Sequence, residues 1–494
     1  MPQIINSNIA SLTAQRNLNM SQSSLNTSLE RLSSGMRINS AKDDAAGLAI
    51  SERMTSQIRG LNQASRNAND GISLAQTAEG AMGEIGNNLQ RIRELAIQSA
   101  NATNSASDRA SLQAEVTQLT SEITRVASST QFNGLNLLDG SFSSQSFQVG
   151  ASANQTIDIA QISDARSTAL GNNTLVMSGT KIDMPIAGTV ANTAPAQTIT
   201  ADATVLLSTN LGSTATGDIS IAATDSAETI ANKINNAAAN IGITAKAETS
   251  ATLGTISAAG SVAFSLNGTL VTGSVSDTSD LTDLAAAING RQGTTGITAS
   301  FATAGDKSEI TLTDKTGADV TLTGFTNSAG GTAVVDASSG AAAAVTLTSG
   351  AATDSARLVG NVTLSTADGQ IAVANQAGAG ELFDVSTSTF NALSTVDIST
   401  ADGSQTAIDI VDAALSQVNS NRGSLGAVQN RFISTIANLQ TTSENLSAAR
   451  SRIQDADFAT ETANMTRGQI LQQAGVAILA QANSLPNNVL SLLR

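Results

Sequence analysis

The sequence predicts a multidomain α+β fold. Long α-helices at the N- and C-terminal ends pair as a coiled-coil core with a β-hairpin region, and a β-rich α+β outer region is inserted in the middle. Apolar residues recur at three- and four-residue steps near both ends, which is the spacing of a helical seam. Between about residues 175 and 400 the period changes to two, with Gly and Asn turns, as in short β-strands.

The helical pattern at the two ends predicts that they pair with each other. Pairing would place both termini at one end of the molecule, and two independent helical bundles are the alternative. The predicted seam positions are Leu25, Leu29, Leu32, Ile58, Leu61, Ile72, Leu89, Ile92, Leu425, Phe432, Ile436, Leu439, Leu446 and Ile453, followed in the last helix by Leu471 and Ile478.

Several other seam positions are Ala, Gly, Ser, Gln or Arg, so the pair buries little apolar area and is weak by itself. We therefore expect residues 1–40 and 460–494 to be poorly ordered in a free monomer and to fold when other copies supply contacts. Pro486 is expected to interrupt or kink the last helix unless that helix begins near it.

The middle region alternates Thr, Ser, Ala and Gly with Val and Ile, and Asn267-Gly268 predicts a hairpin turn. It also carries a repeat, which predicts two related α+β units within about 218–325. Low-complexity disorder is the alternative for a segment of this composition. The repeated residues are Ile230, Ile234-Asn235 and Gly242-Ile243-Thr244-Ala245, which recur 54 positions later as Leu284, Ile288-Asn289 and Gly296-Ile297-Thr298-Ala299.

These patterns divide the chain into three parts. Residues 1–45 with 455–494 are expected to form inner terminal helices. Residues 46–175 with 403–454 are expected to form a helical-bundle core domain. Residues 176–402 are expected to form the outer, β-rich part.

Composition excludes most chemistry. The 494 residues include no Cys, His, Trp or Tyr, so the usual triads, proton shuttles and zinc ligands are missing. We expect no enzyme, no catalytic residue, no cofactor and no metal site. The net charge of -15 argues against nucleic-acid binding.

The chain has no sequence pattern for membrane targeting. Residues 1–8 lack the basic and apolar regions of a signal peptide. No apolar run approaches the roughly 18 residues that cross a bilayer, so we expect no membrane insertion.

Four segments closely resemble the hallmarks of bacterial flagellins. Near the N-terminus these are LSSGMRINSAKDDAAGLAI (32–50) and NDGISLAQTAEG (69–80). Near the C-terminus they are RSRIQDADFA (450–459) and ILQQAG (470–475). The resemblance covers about residues 1–150 and 405–494. In the middle it is limited to the presence of an inserted outer region, which is variable among flagellins.

The resemblance implies a structural protein that self-assembles through its terminal helices into the helical filament of the flagellum, for motility. Such a subunit is exported unfolded through the flagellar type III apparatus and polymerises at the tip. Its implied partners are copies of itself, an export chaperone, the filament cap and the hook-associated junction proteins. Its implied place is outside the cell, in the filament.

The resemblance also implies residue roles. Gln90, Arg91, Leu95 and Glu115 would form the surface that host Toll-like receptor 5 contacts, and the same surface would pack between subunits. Arg91 and Leu95 share a helix face, and Glu115 would come from the antiparallel neighbouring helix after a turn near 101–108. The apolar tail expected to serve assembly and chaperone binding comprises Leu485, Val489, Leu490, Leu492 and Leu493.

Two other functions stay open on sequence grounds. A hook–filament junction protein shares the terminal helix design. A secreted adhesin would use the middle region to bind a ligand and the ends only as an anchor.

Overall fold

Long α-helices occupy both ends of the chain. The computed structural model describes residues 7–177, 182–197, 203–215, 219–222, 224–301, 306–337, 344–374, 382–383 and 386–492. In these residues the helices are α1 (Ile9–Ser34), α2 (Ala45–Ser99), α3 (Ala106–Ser129), α4 (Ala227–Ala238), α5 (Thr282–Asn289), α6 (Gln292–Thr295), α7 (Ala401–Gln454) and α8 (Phe458–Leu492), with 3-10 turns at Ala239–Ile241 and Leu393–Thr395.

Strands fill the region between α3 and α7. They are β1 (Gln131–Phe132), β2 (Leu135–Asn136), β3 (Gln145–Gln148), β4 (Thr156–Ile159), β5 (Gly171–Val176), β6 (Met184–Ala187), β7 (Ala203–Thr209), β8 (Gly212–Ser213), β9 (Ile219–Ile221), β10 (Thr244–Gly254), β11 (Gly260–Leu266), β12 (Thr269–Val275), β13 (Thr298–Ser300), β14 (Glu309–Asp314), β15 (Val320–Asn327), β16 (Thr332–Ala337), β17 (Val345–Thr348), β18 (Ala356–Val359), β19 (Asn361–Thr366), β20 (Ala372–Ala374) and β21 (Thr389–Ala392).

Polar caps and one glycine set the ends of the terminal helices. The Asn8 side chain accepts a hydrogen bond from the Ser11 N–H at the start of α1. Gly35 ends α1 with a φ of 71°, a left-handed conformation that glycine adopts without steric cost. Asp457 accepts from the backbone N–H groups of Ala459 and Thr460 at the start of α8. This cap follows the break between α7, which ends at Gln454, and α8.

The last helix contradicts one expectation. It continues past Pro486 to Leu492, so the interruption that the sequence offered as one possibility there is wrong, and the alternative of a kink stays a prediction. No helix among the described residues combines the length and apolar character needed to span a bilayer.

The chain divides into two compact units. The first comprises the chain up to Glu79, Ser143–Ile162 and the chain from Gly423, and the second comprises Gly80–Phe142 and Ser163–Arg422. Two of the four boundaries fall inside the continuous helices α2 and α7, where the sequence pattern does not change. The three-part division expected from the sequence is a different one and stays a prediction.

In the first unit, α2 and α7 pack with the β3–β4 hairpin around Phe432. The rings of Phe147 and Phe432 meet edge to face, with centroids 5.7 Å apart. Gly71 makes room for this ring, because a Cβ at that position would lie 2.7 Å from Phe432 Cζ. Leu61 of α2 and Leu439 of α7 belong to one buried apolar cluster in the same unit.

The second unit contains four of the sheets, of which the smallest is the pair β1–β2. An eight-stranded sheet includes β10 and β19, a five-stranded sheet has the order β12-β11-β15-β18-β6, and a four-stranded sheet contains β7. Buried residues form two clusters, one including residues of α4 and the other residues of α5. Each helix thus covers its own apolar core.

The repeat predicted over 54 positions appears in this unit. Asn235 after Ile234 and Asn289 after Ile288 each bind the backbone of an alanine ten residues later, Ala245 or Ala299. The predicted hairpin is also present between β11 and β12. Asn267 and Gly268 both have positive φ, 47° and 82°, as a type I′ turn requires.

Candidate interaction surfaces

In the first unit, α1 and α8 are joined mainly by polar contacts. Asn8 Nδ2 donates to the Ala482 carbonyl over 2.8 Å, and Ser11 Oγ donates to Asn483 Oδ1 over 2.7 Å. Further along the pair, Ser21 Oγ donates to the Gly468 carbonyl over 3.3 Å. Each such bond contributes a small net stability because water satisfies the same groups in the unfolded chain.

A charged cluster fixes the register of this pair. Glu461 accepts from Ser28 Oγ over 2.9 Å and from Arg31 Nη1 over 3.1 Å. The Glu461 side chain is nearly buried while Arg31 is about one-third exposed. Removing one partner would leave the other charge poorly solvated, so a shifted register is disfavoured.

The apolar side chains of α1 and α8 are largely left in water. Nine large apolar residues on the two helices are 44–64% exposed. Among the residues of these helices whose side chains the structure describes, few apolar ones are buried, namely Ala14, Leu25 and Ala482. The exposed residues are Ile9, Leu12, Met20, Leu29, Phe458, Ile470, Leu471, Val476 and Ile478.

This exposure corrects three seam positions. Leu29, Leu471 and Ile478 do not lie in a seam within the chain, because the α1–α8 pair turns them toward solvent. Of the other predicted positions, Leu25, Ile58, Leu61, Leu89, Ile92, Leu425, Phe432 and Leu439 are buried, while Leu32, Ile72, Ile436, Leu446 and Ile453 are half-buried.

In the second unit, an ion-paired group lies on adjacent α2 and α3. Arg91 contacts Glu94 over 3.0 Å and Glu115 over 2.9 Å. Hydrogen bonds to Glu94 and Glu115 raise the pKa of Arg91. The α2–α3 turn runs between Ser99 and Ala106 and ends in a capping box at Ser105. This turn lets Glu115 meet Arg91, and both remain exposed with Gln90.

Leu95 does not belong to that exposed surface. Its side chain is 1% exposed, which contradicts the expectation that it contacts a receptor directly in this conformation. Residues i and i+4 are neighbours on a helix but differ in angle by about 40°, and this rotation places Leu95 in the core.

Sequence reasoning missed two features of the same unit. Arg93 and Asp412 form an exposed ion pair of 2.6 Å between α2 and α7. Ile97 is an apolar residue on α2 that is about half exposed. The heptad pattern gave no signal for either, because it does not identify which helices are neighbours.

The burial or exposure of the predicted apolar tail is not described by the structure. Leu485, Val489, Leu490, Leu492 and Leu493 lie outside the residues whose side chains the structure describes.

Known proteins match this chain over its whole length. A model of the bacterial flagellin N-terminal helical region matches residues 5–143, and one of the C-terminal helical region matches 408–493. The B-type flagellin of Pseudomonas aeruginosa is 47% identical, with 100% of both chains covered. The flagellin of Salmonella rubislaw is 42% identical with the same coverage. The solved structure of FliC from Burkholderia pseudomallei is 22% identical and covers 73% of this chain and 99% of its own, with a TM-score of 0.30.

Proposed function

This chain belongs to the bacterial flagellins. We propose that the terminal helices of its free monomer are incompletely packed, and that they gain the missing apolar contacts when the monomer joins the filament. The protein is a structural subunit of the flagellar filament and not an enzyme. It assembles with copies of itself. The junction-protein and adhesin alternatives are not favoured, because flagellins match it over its whole length.

The observation that carries this proposal is the exposed apolar surface on α1 and α8. Soluble monomers rarely leave this many large apolar side chains of two paired helices in water, and such exposed apolar surface indicates an interaction site. Burial contributes about 25 cal/mol per Å², so contacts with other copies would stabilise helices that the chain alone holds by polar bonds.

The weak pairing of α1 with α8 is also compatible with export of the subunit from the cell. We infer export in an unfolded state, with an export chaperone, the filament cap and hook-associated junction proteins as partners, and an extracellular place for the filament. The absence of Cys supports this, because no disulfide would block unfolding. The few buried apolar residues between α1 and α8 keep the cost of separating them low.

We further propose that the Arg91–Glu115 surface is recognised by host Toll-like receptor 5. Both side chains are about half exposed and held by a mutual ion pair. A fixed, exposed guanidinium can bind a carboxylate with defined geometry. Leu95 would contribute indirectly, by packing beneath this surface and holding α2 and α3 in place.

Filament growth from purified monomer on short filament seeds tests the assembly proposal. We expect Ile470→Ser with Ile478→Ser to slow growth strongly, measured by light scattering and electron microscopy. Val190→Ser is the matched control, since Val190 is as exposed as these two residues but lies outside the terminal helices. Growth of the double variant at the rate of this control would contradict the proposal.

A further inference from the structure

The edge strand β12 presents hydrogen-bonding groups that no described residue satisfies. In its sheet β12 has only β11 as a neighbour. The two-residue turn makes Leu266 and Thr269 a hydrogen-bonded pair. Bonded and non-bonded pairs alternate in an antiparallel ladder. Residues 270, 272 and 274 therefore direct their N–H and C=O groups away from β11.

The pairing on the other side of β11 agrees with this alternation. Ser261 lies opposite Ser274, and its carbonyl accepts from Ser328 N–H over 3.0 Å, on the side away from β12. Between β11 and β12, residues 261 and 274 thus form a non-bonded pair. Among the described residues, none supplies a backbone partner to the outward groups of Leu270, Thr272 and Ser274.

This edge lacks the protection that sheet edges usually carry. Proteins shield edges with short strands, charges or proline. The opposite edge of the same sheet is the four-residue β6, which contains Pro185. β12 has seven residues with neither charge nor proline, and it is the longest strand with a single neighbour in the described part of the chain. Leu270 is 64% exposed.

We propose that β12 pairs in antiparallel fashion with β12 of a second copy, about a local two-fold axis at Thr272. In this register Thr272 faces itself and Leu270 faces Ser274, so each outward N–H meets a C=O of the other copy. The strand is uncharged in a chain of net charge -15, so this strip can meet its copy without direct like-charge repulsion. The pairing rests on the assembly function in one respect: the filament holds copies close, which lets a weak contact form.

Cysteine cross-linking tests this register, because the chain has no cysteine of its own. Directly opposed bonded residues have Cα atoms about 5.5 Å apart, within the range that a disulfide spans. We expect oxidised filaments of Thr272→Cys to give several-fold more covalent dimer than those of Thr389→Cys. Thr389 is an exposed control position on the short edge strand β21. Leu270→Cys should also give less dimer, since its partner would be Ser274.

The same oxidation is carried out on concentrated monomer, and filament growth is recorded separately. Dimer yields from Thr272→Cys that match Thr389→Cys in both monomer and filament would overturn strand pairing. Equal yields from Leu270→Cys and Thr272→Cys would overturn the proposed register. Normal filaments without the cross-link leave the terminal-helix function intact, so the two proposals fail in distinguishable ways.

Discussion

The Asn235 side chain forms two hydrogen bonds with the backbone of Ala245. Its Nδ2 donates to the Ala245 carbonyl over 2.9 Å, and its Oδ1 accepts from the Ala245 N–H over 2.7 Å. Asn289 binds Ala299 in the same way, with 2.8 Å in both directions. In each copy of the repeat, one asparagine side-chain amide thus joins the helix to the following strand, because it donates one hydrogen bond and accepts another.

Replacing the Asn235 amide should loosen the packing of α4 on β10 in the second unit. We expect Asn235→Ala to lower the free energy of unfolding by about 1–3 kcal/mol, because two backbone groups lose their partners. Chemical denaturation followed by circular dichroism measures the change. Asn236→Ala is the control, since Asn236 is exposed beside it. Equal stability of the two variants would show that the amide does not hold the strand.

Gly71 should not tolerate a methyl group, whereas Gly80 on the same helix should. A Cβ at Gly71 meets the Phe432 ring, while one at Gly80 has nothing within 4 Å. We expect Gly71→Ala to destabilise the first unit by about 1–3 kcal/mol through overpacking. Gly80→Ala should stabilise α2 by about 0.5–1 kcal/mol, because alanine loses less backbone entropy. Thermal unfolding of both variants checks the opposite signs, and a gain in Tm for Gly71→Ala would contradict this packing.

Asp457 should make the start of α8 sensitive to acid. Hydrogen bonds from the Thr460 side chain and from the Thr460 and Ala459 backbone lower the pKa of Asp457. A group with a lowered native pKa stabilises the fold above its unfolded value, about 3.9, and this contribution is lost as the pH falls through the native pKa. We expect hydrogen exchange in the first turn of α8 to quicken as the pH falls below about 4.

The variant Asp457→Asn separates this effect from general acid unfolding. Asparagine keeps the cap but does not titrate. The change in α8 opening with pH should therefore be smaller in this variant, after correction for the intrinsic exchange rate. The same pH dependence in both proteins would exclude Asp457 as its source.

The receptor surface predicts different outcomes for its polar and buried members. Arg91→Ala should reduce receptor signalling by free monomer without unfolding it, because Arg91 is exposed. Arg125→Ala is the matched control, since Arg125 forms a similar exposed ion pair with Glu122 on α3. Signalling by Arg91→Ala equal to that of the control would remove Arg91 from the surface.

Leu95→Ala should act through stability. Truncating a buried leucine costs about 2–5 kcal/mol, so we expect a lower Tm together with reduced signalling. Leu95→Met, which conserves volume, should restore most of both. Full loss of signalling in a stably folded Leu95→Met protein would instead indicate direct contact.

Sequence reasoning predicted the parts of this fold that depend on local pattern. The helices at both ends follow from a local three- and four-residue spacing, the turn at Asn267 is set by Asn267 and Gly268, and both features are present. The 54-residue repeat was visible because Asn235 and Asn289 recur with their helices. Membership of the family was also visible in short motifs at both ends.

The remaining differences depend on neighbours distant in sequence. Leu29 and Leu95 both fit a helical stripe, yet one is exposed and the other buried. Which side of a stripe is covered depends on where α8 and α3 pack, and periodicity alone does not contain that information. The open edge of β12 was equally invisible, since strand order is a property of the sheet.

The polar joining of α1 and α8 has a thermal consequence. Exposure of apolar surface to water raises heat capacity, and its removal lowers it. Since these helices keep much of their apolar surface in water within one chain, we expect their melting in the monomer to change the heat capacity little. The large negative change should accompany polymerisation instead. Calorimetry of seeded growth at several temperatures would measure it, and subunit addition should weaken in the cold.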